Sequence, residues 1–231
     1  MTPTSPNLLP LHSALLNWYA RKGRKNLPWR RLRNPFSILL AEILLQRTSA
    51  RVVANNFQKI HARLPTLTHL LAIPEKDLQD LLKPLGLFQR RAKYLKDLAY
   101  TLQNRFHGKI PHTYEELASL IGLGDYIPRA VLCFAWGQRV AVVDLNVIRI
   151  FSRMFSIQPK SWEDPRRTPE ITRIAEDLLP PVKHVKKYNW SLLDLGALVC
   201  KPKFPECEVC PIATFCDHYK NLANNSALPR D

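Results

Sequence analysis

The chain has 231 residues, 46% of them hydrophobic, and a formal net charge of +15 at pH 7. This composition can fill a sizeable core, so the chain as a whole is not an intrinsically disordered segment. The excess of cations favours a polyanionic partner, because each neutralised phosphate releases a counterion and adds affinity. We therefore expect nucleic acid as the partner, and a basic surface that serves only solubility is the alternative.

Neither a membrane span nor an export signal is apparent in the sequence. No apolar run reaches the roughly 20 residues needed to cross a bilayer, and the longest candidate, residues 36–45, is interrupted by Glu42. The N-terminus lacks the charged start, apolar core and small-residue cleavage site of a secretory signal. We expect an intracellular protein in a reducing compartment, without membrane contact and without a disulfide framework.

Helical periodicity is the main secondary-structure signal along the chain. Apolar residues recur at intervals of three and four in the stretches 11–18, 53–64 and 94–106. Proline and glycine between such stretches divide the middle of the chain into helices of about 8 to 18 residues. The sequence therefore predicts an all-α fold.

Residues 139–143 are the one strand-like run, rich in β-branched side chains. Because the run is short, it predicts a buried extended connection between helices rather than a sheet strand. Further helices are expected near residues 170–179 and 186–198. The chain after Cys216 is predicted to be an irregular surface segment.

Four cysteines are crowded into 17 residues near the C-terminal end: Cys200, Cys207, Cys210 and Cys216. Four thiolates in one tight loop can ligate a four-coordinate centre, and both zinc and iron–sulfur are open on spacing alone. The first interval also contains Lys201 and Lys203, which can reach the phosphates of a nucleic acid. The fifth cysteine, Cys133, lies among apolar residues and is interpreted as a core residue.

A Gly-Leu-Gly turn lies between helices predicted at about 113–120 and 127–136. Gly122 and Gly124 resemble the glycines of a helix-hairpin-helix motif, which free backbone N–H groups to approach a DNA phosphate, while Leu123 would anchor the turn in the core. A bare helix-capping turn explains the same glycines equally well.

Three polar side chains stand in unexpected surroundings. Glu42 is flanked by leucine and isoleucine within one helical turn on both sides, so its carboxyl lies either on a narrow exposed stripe or in a cleft. In a cleft the carboxyl would retain its proton more readily, which suits a general acid. Asp144 follows an apolar run and precedes a helix, which is an N-cap position compatible with catalysis. Tyr126 lies two residues past Gly124 and can either pack or line a site.

Together these residues resemble the helix-hairpin-helix DNA glycosylase superfamily, the group of endonuclease III and the adenine glycosylase MutY. The resemblance runs in family order through Leu27-Pro-Trp-Arg30, Glu42-Ile-Leu-Leu-Gln-Arg-Thr48, Gly86-Leu-Phe88, Gly122-Leu-Gly124, Val143-Asp144, Asp194-Leu-Gly-Ala197 and the four cysteines. It implies a [4Fe-4S] cluster rather than zinc, and hydrolytic removal of a flipped-out base from double-stranded DNA. It also implies two helical domains: a six-helix domain of residues 31–141 with the hairpin, and a cluster domain of residues 1–30 and 142–231.

Position 126 separates the branches of this superfamily. Bifunctional lyases carry a Schiff-base lysine where this chain has Tyr126, so the resemblance implies a glycosylase without lyase activity. Tyr126 together with Asp144 and Glu42 is most similar to the thymine-DNA glycosylases that act on T·G and U·G mispairs. Adenine glycosylases, which share Glu42 and Asp144 but usually have serine at 126, are the alternative substrate class.

The resemblance also implies a role for each site residue. Asp144 would stabilise the positive charge on the sugar, Glu42 would supply a proton to the departing base, and Tyr126 would line the base pocket. Leu87 matches the wedge that enters the duplex, and Gln46 or Arg47 matches the plug that fills the vacated space.

Base excision repair of a mispaired or damaged base follows as the expected function, with a monomeric protein at the nucleoid in the cytoplasm if the source is prokaryotic. A non-catalytic DNA-damage sensor with the same fold is the alternative from another class. The chain departs from the family pattern at Asp125, where a basic residue is common, and this acid is unfavourable beside a phosphate unless it points away.

Overall fold

The computed structural model describes residues 8–158 and 169–226 and confirms the all-α prediction for them. In these two ranges the chain forms α-helices, short 3-10 turns and irregular connections, and no β-strand. No helix within them is long and apolar enough to cross a membrane. The α-helices are α1 (Leu9–Lys22), α2 (Pro35–Leu45), α3 (Ala50–Arg63), α4 (Leu67–Ala72), α5 (Glu75–Leu82), α6 (Phe88–Phe106), α7 (Tyr114–Ala118), α8 (Tyr126–Phe134), α9 (Leu145–Met154), α10 (Pro169–Asp177), α11 (Val182–Leu198) and α12 (Asp217–Ser226).

The chain divides into two compact units. The central unit is Lys25–Trp136, and the terminal unit combines Met1–Arg24 with Gly137–Asp231. The central unit holds the seven helices α2 to α8, and Pro74 precedes the first residue of α5. The described part of the terminal unit holds α1 and α9 to α12.

Helix α2 is the core of the central unit. Every residue from Phe36 to Leu44 is buried, and the helix packs against α3 and α8. Asn34 begins it by accepting a 3.2 Å hydrogen bond from the backbone N–H of Ser37, with Pro35 at the first helical position. A helix that is apolar on all sides must lie in the interior, which places any polar residue it carries there as well.

In the terminal unit, α11 packs against α1 and α9. Asp194, on α11, is fully buried and accepts hydrogen bonds from the backbone N–H of Arg24 at 2.7 Å and from its Nε at 2.6 Å. A buried carboxylate requires such partners, because its charge would otherwise be uncompensated in a low dielectric. This pair holds Arg24, the second residue after the end of α1, against α11.

The segment 139–143 is a connection between helices rather than a sheet strand, as the sequence predicted, and its residues 141–143 are buried whereas Arg139 is exposed. Two of its backbone N–H groups donate to side chains instead of a neighbouring strand: Ala141 donates to Oε1 of Glu176 at 3.1 Å, and Val142 donates to Oδ1 of Asn189 at 2.9 Å. Nδ2 of Asn189 in turn donates to the carbonyl of Val140 at 3.1 Å. The segment is thereby fixed to α10 and α11, and it delivers the chain to Asp144.

The prediction of an irregular segment after Cys216 is wrong, since α12 begins at Asp217. The backbone N–H of Lys220 donates to the carbonyl of Cys216 at 3.2 Å, and Asp217 supplies an acidic side chain in the first turn, where it favours a helix. The helix packs against α9, so tertiary contact stabilises a sequence whose apolar pattern is weak.

Candidate functional site

Asp144 is the N-cap of α9, as its position in the sequence predicted. Its Oδ1 accepts hydrogen bonds from the backbone N–H of Asn146 at 2.8 Å and of Val147 at 2.9 Å. Its Oδ2 accepts a third, from Nδ2 of Asn146, at 2.7 Å. Both carboxylate oxygens are therefore held in one orientation before any ligand arrives.

Sequence analysis did not identify the residues that hold this carboxylate from behind. Oδ1 of Asn146 accepts a 2.8 Å hydrogen bond from Nη2 of Arg149, which also donates to the carbonyl of Gly196 at 2.7 Å. Nε of Arg149 donates to the carbonyl of Cys200 at 2.8 Å. A continuous set of hydrogen bonds thus runs from Asp144 to the first cysteine of the loop.

Burial raises the pKa of the Asp144 carboxyl above its ordinary value. The hydrogen bonds from Val147 and Asn146, and the positive charge of Arg149, act in the opposite direction and favour the carboxylate. Burial makes the charged form of this carboxyl costly in free energy, while the hydrogen bonds fix its orientation. Such a carboxylate is suited to stabilising a cation that forms next to it.

Glu42 is buried, with 4% of its surface exposed, so the cleft or interior position applies and the exposed stripe does not. It lies on α2, which packs against α8. Tyr126 is the first residue of α8 and is half-buried. The central unit therefore brings the helices that carry these two predicted site residues into direct contact.

The Gly-Leu-Gly turn has the backbone of a tight hairpin between α7 and α8. Gly122 and Gly124 have φ angles of +80° and +58°, which disfavour residues with a Cβ, and Leu123 is buried. A Cβ at Gly122 would also lie 2.6 Å from Cε2 of Tyr94. Nε2 of Gln46 donates to the carbonyl of Gly122 at 3.0 Å, which ties the predicted plug to the hairpin.

Asp125, the departure from the family pattern, is held within its own unit. Its Oδ1 accepts a hydrogen bond from the hydroxyl of Tyr114, and its Oδ2 lies 3.1 Å from Nε of Arg129 one turn along α8. Because the positive charge of Arg129 offsets the charge of Asp125, this acid reduces the affinity of the hairpin for a phosphate less than an unpaired carboxylate would.

One cavity of the central unit collects most of the predicted DNA-binding residues. Its lining residues are Gln46, Arg47, Leu87, Arg90, Arg91, Tyr94, Ile121 and Gly122. Arg47 and Leu87 both have left-handed backbones, with φ of +54° and +51°, and Leu87 is 56% exposed. Non-glycine residues adopt this conformation at a cost, and such positions concentrate at functional sites.

Arg91 organises this cavity, and sequence analysis missed it. Nη1 of Arg91 donates to the carbonyls of Ile43 and Leu44 at 2.7 and 3.2 Å, and Nη2 donates to the carbonyl of Gln46 at 3.1 Å and to Oγ1 of Thr48 at 3.0 Å. These bonds satisfy the last carbonyls of α2 and fix the turn that presents Gln46. Burial lowers the pKa of this guanidinium without discharging it.

The four clustered cysteines line a single cavity in the terminal unit, and none forms a disulfide. Nη1 of Arg153 lies 3.3 Å from Sγ of Cys200, which brings a positive charge to the sulfurs. No group of three or more His, Cys, Asp or Glu side chains in residues 8–158 and 169–226 converges closely enough to hold a single metal ion. The four thiols therefore share one cavity.

The loop between the first two cysteines places its two lysines differently. Lys201 forms an ion pair with Glu206 across the base of the loop, whereas Lys203 is exposed. An exposed ion pair of this kind contributes little free energy, so Lys201 can exchange Glu206 for another anion.

Comparison with known proteins gives a family and several relatives. Residues 40–181 match the family described as "HhH-GPD superfamily base excision DNA repair protein". The chain is 34% identical to a thymine-DNA glycosylase of Aeropyrum pernix, over 91% of this chain and 95% of the relative. It is 33% identical to a thymine/uracil-DNA glycosylase of Pyrobaculum aerophilum, over 92% and 93% of the two chains.

The similarity extends to a solved structure and to a second substrate class. A thermostable thymine-DNA glycosylase of known structure superposes with a TM-score of 0.84 at 30% identity, over 93% of this chain and 97% of the other. An adenine DNA glycosylase of Buchnera aphidicola is 30% identical over 92% of this chain, which matches 59% of that relative's length.

Proposed function

Since the chain belongs to the HhH-GPD superfamily of base excision DNA repair proteins and is a DNA glycosylase, we propose that it hydrolyses the N-glycosidic bond of thymine or uracil mispaired with guanine. It does so as a monomer on double-stranded DNA and without lyase activity. The observation that carries this choice is the similarity to thymine and thymine/uracil glycosylases along nearly the whole of both chains. The adenine relatives share a similar stretch of this chain but a smaller part of their own.

Asp144 supplies the main electrostatic stabilisation in this proposal. Cleavage of the bond between base and sugar builds positive charge at C1′ of the deoxyribose, and a fixed carboxylate facing that carbon stabilises the transition state. At about 4 Å and an effective dielectric near 20, two opposite charges gain roughly 4 kcal/mol, an upper value of about three decades in rate. The three hydrogen bonds to Asp144 support the role, because no reorganisation is needed as charge develops.

Glu42 and Tyr126 act on the base. The pyrimidine leaves with negative charge, and Glu42, directly or through a water molecule, donates or orders a proton for it. Tyr126 lines the pocket and hydrogen-bonds the edge of the base. Because position 126 holds a phenol rather than an amine, no Schiff base with the sugar forms there and the strand is left uncut.

The cavity around Gln46, Arg47 and Leu87 serves extrusion of the base. Flipping costs a few kcal/mol, least at a mispair, and the vacated space must be filled. Leu87 enters the duplex as a wedge, Gln46 fills the space, and Arg47 donates to the orphaned guanine, which offers two acceptors on one edge. The phosphates that flank the extruded nucleotide are bound by Gly122, Gly124, Lys201 and Lys203.

The cysteine loop fits a [4Fe-4S] cluster held by Cys200, Cys207, Cys210 and Cys216. In such a cluster each thiolate binds a different iron, so four sulfurs around a cavity suit it, whereas a mononuclear zinc site needs them to converge on one ion. When bound, the cluster supplies a rigid cross-link of the loop rather than a reactant for hydrolysis. Measuring the iron, sulfide and zinc content of the purified protein tests this assignment. The Cys210→Ser variant should contain less iron than the wild type, and this readout does not depend on enzymatic activity.

Single-turnover assays on duplexes with T·G, U·G, A·G or A·8-oxoguanine test the substrate. We expect loss of thymine and uracil, seen as strand breaks only after alkali, and Asp144→Asn should bind the same duplexes but react about a thousandfold more slowly. Breaks without alkali would contradict the absence of lyase activity. Cleavage of the adenine strand would assign the alternative substrate class, and a protein with a full cluster that binds mispairs but excises nothing would be a damage sensor.

A further inference from the structure

Phe204, at the tip of the cysteine loop, is the most exposed of the large hydrophobic side chains among the described residues, at 89%. Its backbone is also left-handed, with φ of +51°, in a residue that has a Cβ. Both features cost free energy in the isolated protein. Scattered exposed hydrophobics are common, but an exposed aromatic on a strained backbone needs surroundings that hold it there.

The loop around Phe204 is built to hold that conformation. Arg153 donates from Nη1 to the carbonyl of Lys201 at 2.7 Å and from Nη2 to the carbonyl of Pro202 at 2.9 Å. Lys201 and Glu206 lie at the two ends of the base of the loop. The backbone N–H groups of both these residues donate to the carbonyl of Val199, at 2.8 and 3.0 Å.

The tip presents two side chains of different chemistry. Lys203 is exposed and charged, and Phe204 next to it is exposed and apolar. Prolines at 202 and 205 restrict the backbone on both sides, so little conformational entropy is lost when the tip is bound. A cation beside a rigid aromatic ring matches a nucleic-acid strand, which alternates phosphates with the apolar faces of sugars and bases.

We propose that Phe204 is a DNA-contact residue that packs its ring on the apolar surface of the duplex, on deoxyribose or base faces, while Lys203 binds an adjacent phosphate. The proposal rests on the DNA binding of the proposed function but not on its chemistry. According to this proposal, the loop gains affinity for DNA from the uncharged contact of Phe204 as well as from the charged contact of Lys203. The two contributions differ in salt dependence, because only the phosphate contact releases a counterion.

Binding of the metal-loaded protein to a labelled, undamaged duplex over a series of salt concentrations tests the proposal. Phe204→Ala should weaken binding by about tenfold at every salt concentration and leave the slope of log K against log salt unchanged. Phe204→Trp should retain wild-type affinity. Lys203→Ala should instead reduce the magnitude of that slope by about one.

Tyr100→Ala is the matched control, since Tyr100 is an aromatic residue that is 54% exposed on α6 and belongs to none of the proposed contacts. It should leave both affinity and slope unchanged. If Phe204→Ala lowers the metal content, Phe204→Leu, which keeps an apolar side chain of similar reach, is measured at full metal content and should bind between alanine and wild type.

Unchanged affinity of Phe204→Ala at full metal content would overturn the proposal and leave the ring for a protein partner. A change in slope that equals that of Lys203→Ala would also contradict it, because the effect would then be electrostatic. Failure of base excision on every mispair would contradict the proposed function and leave this result intact, because the duplex used for binding contains no lesion.

Discussion

Nδ2 of Asn146 donates a 2.7 Å hydrogen bond to Oδ2 of Asp144, so the second carboxylate oxygen is held by a side chain that Arg149 in turn orients. Asn146→Ala should lower the single-turnover rate by about tenfold, the equivalent of one hydrogen bond to a charged group. It should also move the acidic limb of the pH–rate profile to higher pH, because this bond lowers the pKa of Asp144.

A purely structural role of Asn146 would reduce the amount of active protein without shifting the pH profile. Asn104→Ala is the matched control, because Asn104 is exposed on α6. Its rate and its pH profile should equal those of the wild type.

The raised pKa of Asp144 predicts a dependence of stability on pH. A carboxyl whose pKa is higher in the folded than in the unfolded protein binds more protons when folded, between its ordinary value of 3.8 and its folded value. Stability from this group is therefore present at low pH and is lost as pH rises through that interval, at 1.36 kcal/mol for each unit of difference.

Asp144→Asn removes this titration while keeping an N-cap side chain. The free energy of unfolding of the variant relative to wild type should therefore increase as pH is raised from below 3.8 through the interval to neutral. Urea denaturation at several pH values measures the difference. A difference that is independent of pH, or that changes in the opposite direction, would show that Asp144 has no raised pKa in the folded protein.

Gly196 allows α11 to approach α9 at Asn146. A Cβ on Gly196 would lie 2.4 Å from Cβ of Asn146 and 3.2 Å from its Cα, so backbone would have to move. Gly196→Ala should lower the free energy of unfolding by about 1 to 3 kcal/mol despite the better helix propensity of alanine. The rate of base excision should fall as well, because Asn146 positions Asp144.

Gly137→Ala separates this contact from simple backbone strain. Gly137 has φ of +71°, and a Cβ there meets only the far end of Lys186 at 3.5 Å. The control should cost about 1 kcal/mol of stability and leave the rate unchanged. Equal losses of stability and equal rates for both variants would contradict the role given to the contact between Gly196 and Asn146.

Arg91 binds four acceptors around the C-terminal end of α2. Arg91→Met should lower the free energy of unfolding by about 2 to 4 kcal/mol, since buried carbonyls are left without donors. Discrimination between guanine and adenine opposite the excised base should also decrease, because the turn that carries Gln46 and Arg47 loosens. Arg90→Met, one residue earlier and exposed, should change DNA binding without changing stability.

Much of the fold could be predicted from local patterns. Apolar residues at helical spacing identify α1, α3 and α6, and Pro35 and Pro74 mark helix starts, because these signals act within one or two turns. The N-cap role of Asp144 was also local. Helix α12 was missed because its stability comes from packing on α9 rather than from its own sequence.

The residues that support the site were not predictable in the same way. Arg91 reaches carbonyls 45 to 48 residues away in sequence, and Arg149 reaches the carbonyl of Cys200, 51 residues away. Because every residue has a backbone carbonyl, a side chain that donates to one has no partner of a particular residue type that the sequence could reveal. The one accessible signal was the placement of Arg91 beside Ala92 and Leu95 on the buried face of α6.

The attachment of segment 139–143 to Asn189 and Glu176 has a consequence for dynamics. Backbone amides outside regular secondary structure usually exchange with solvent quickly, since exchange follows local opening. The amide protons of Ala141 and Val142 are buried and have side-chain acceptors on helices α10 and α11, so they can exchange only when those hydrogen bonds open to solvent. In deuterium oxide these two amides should therefore persist as long as those of the helix core, which would make the connection before Asp144 one of the slowest-opening parts of its unit.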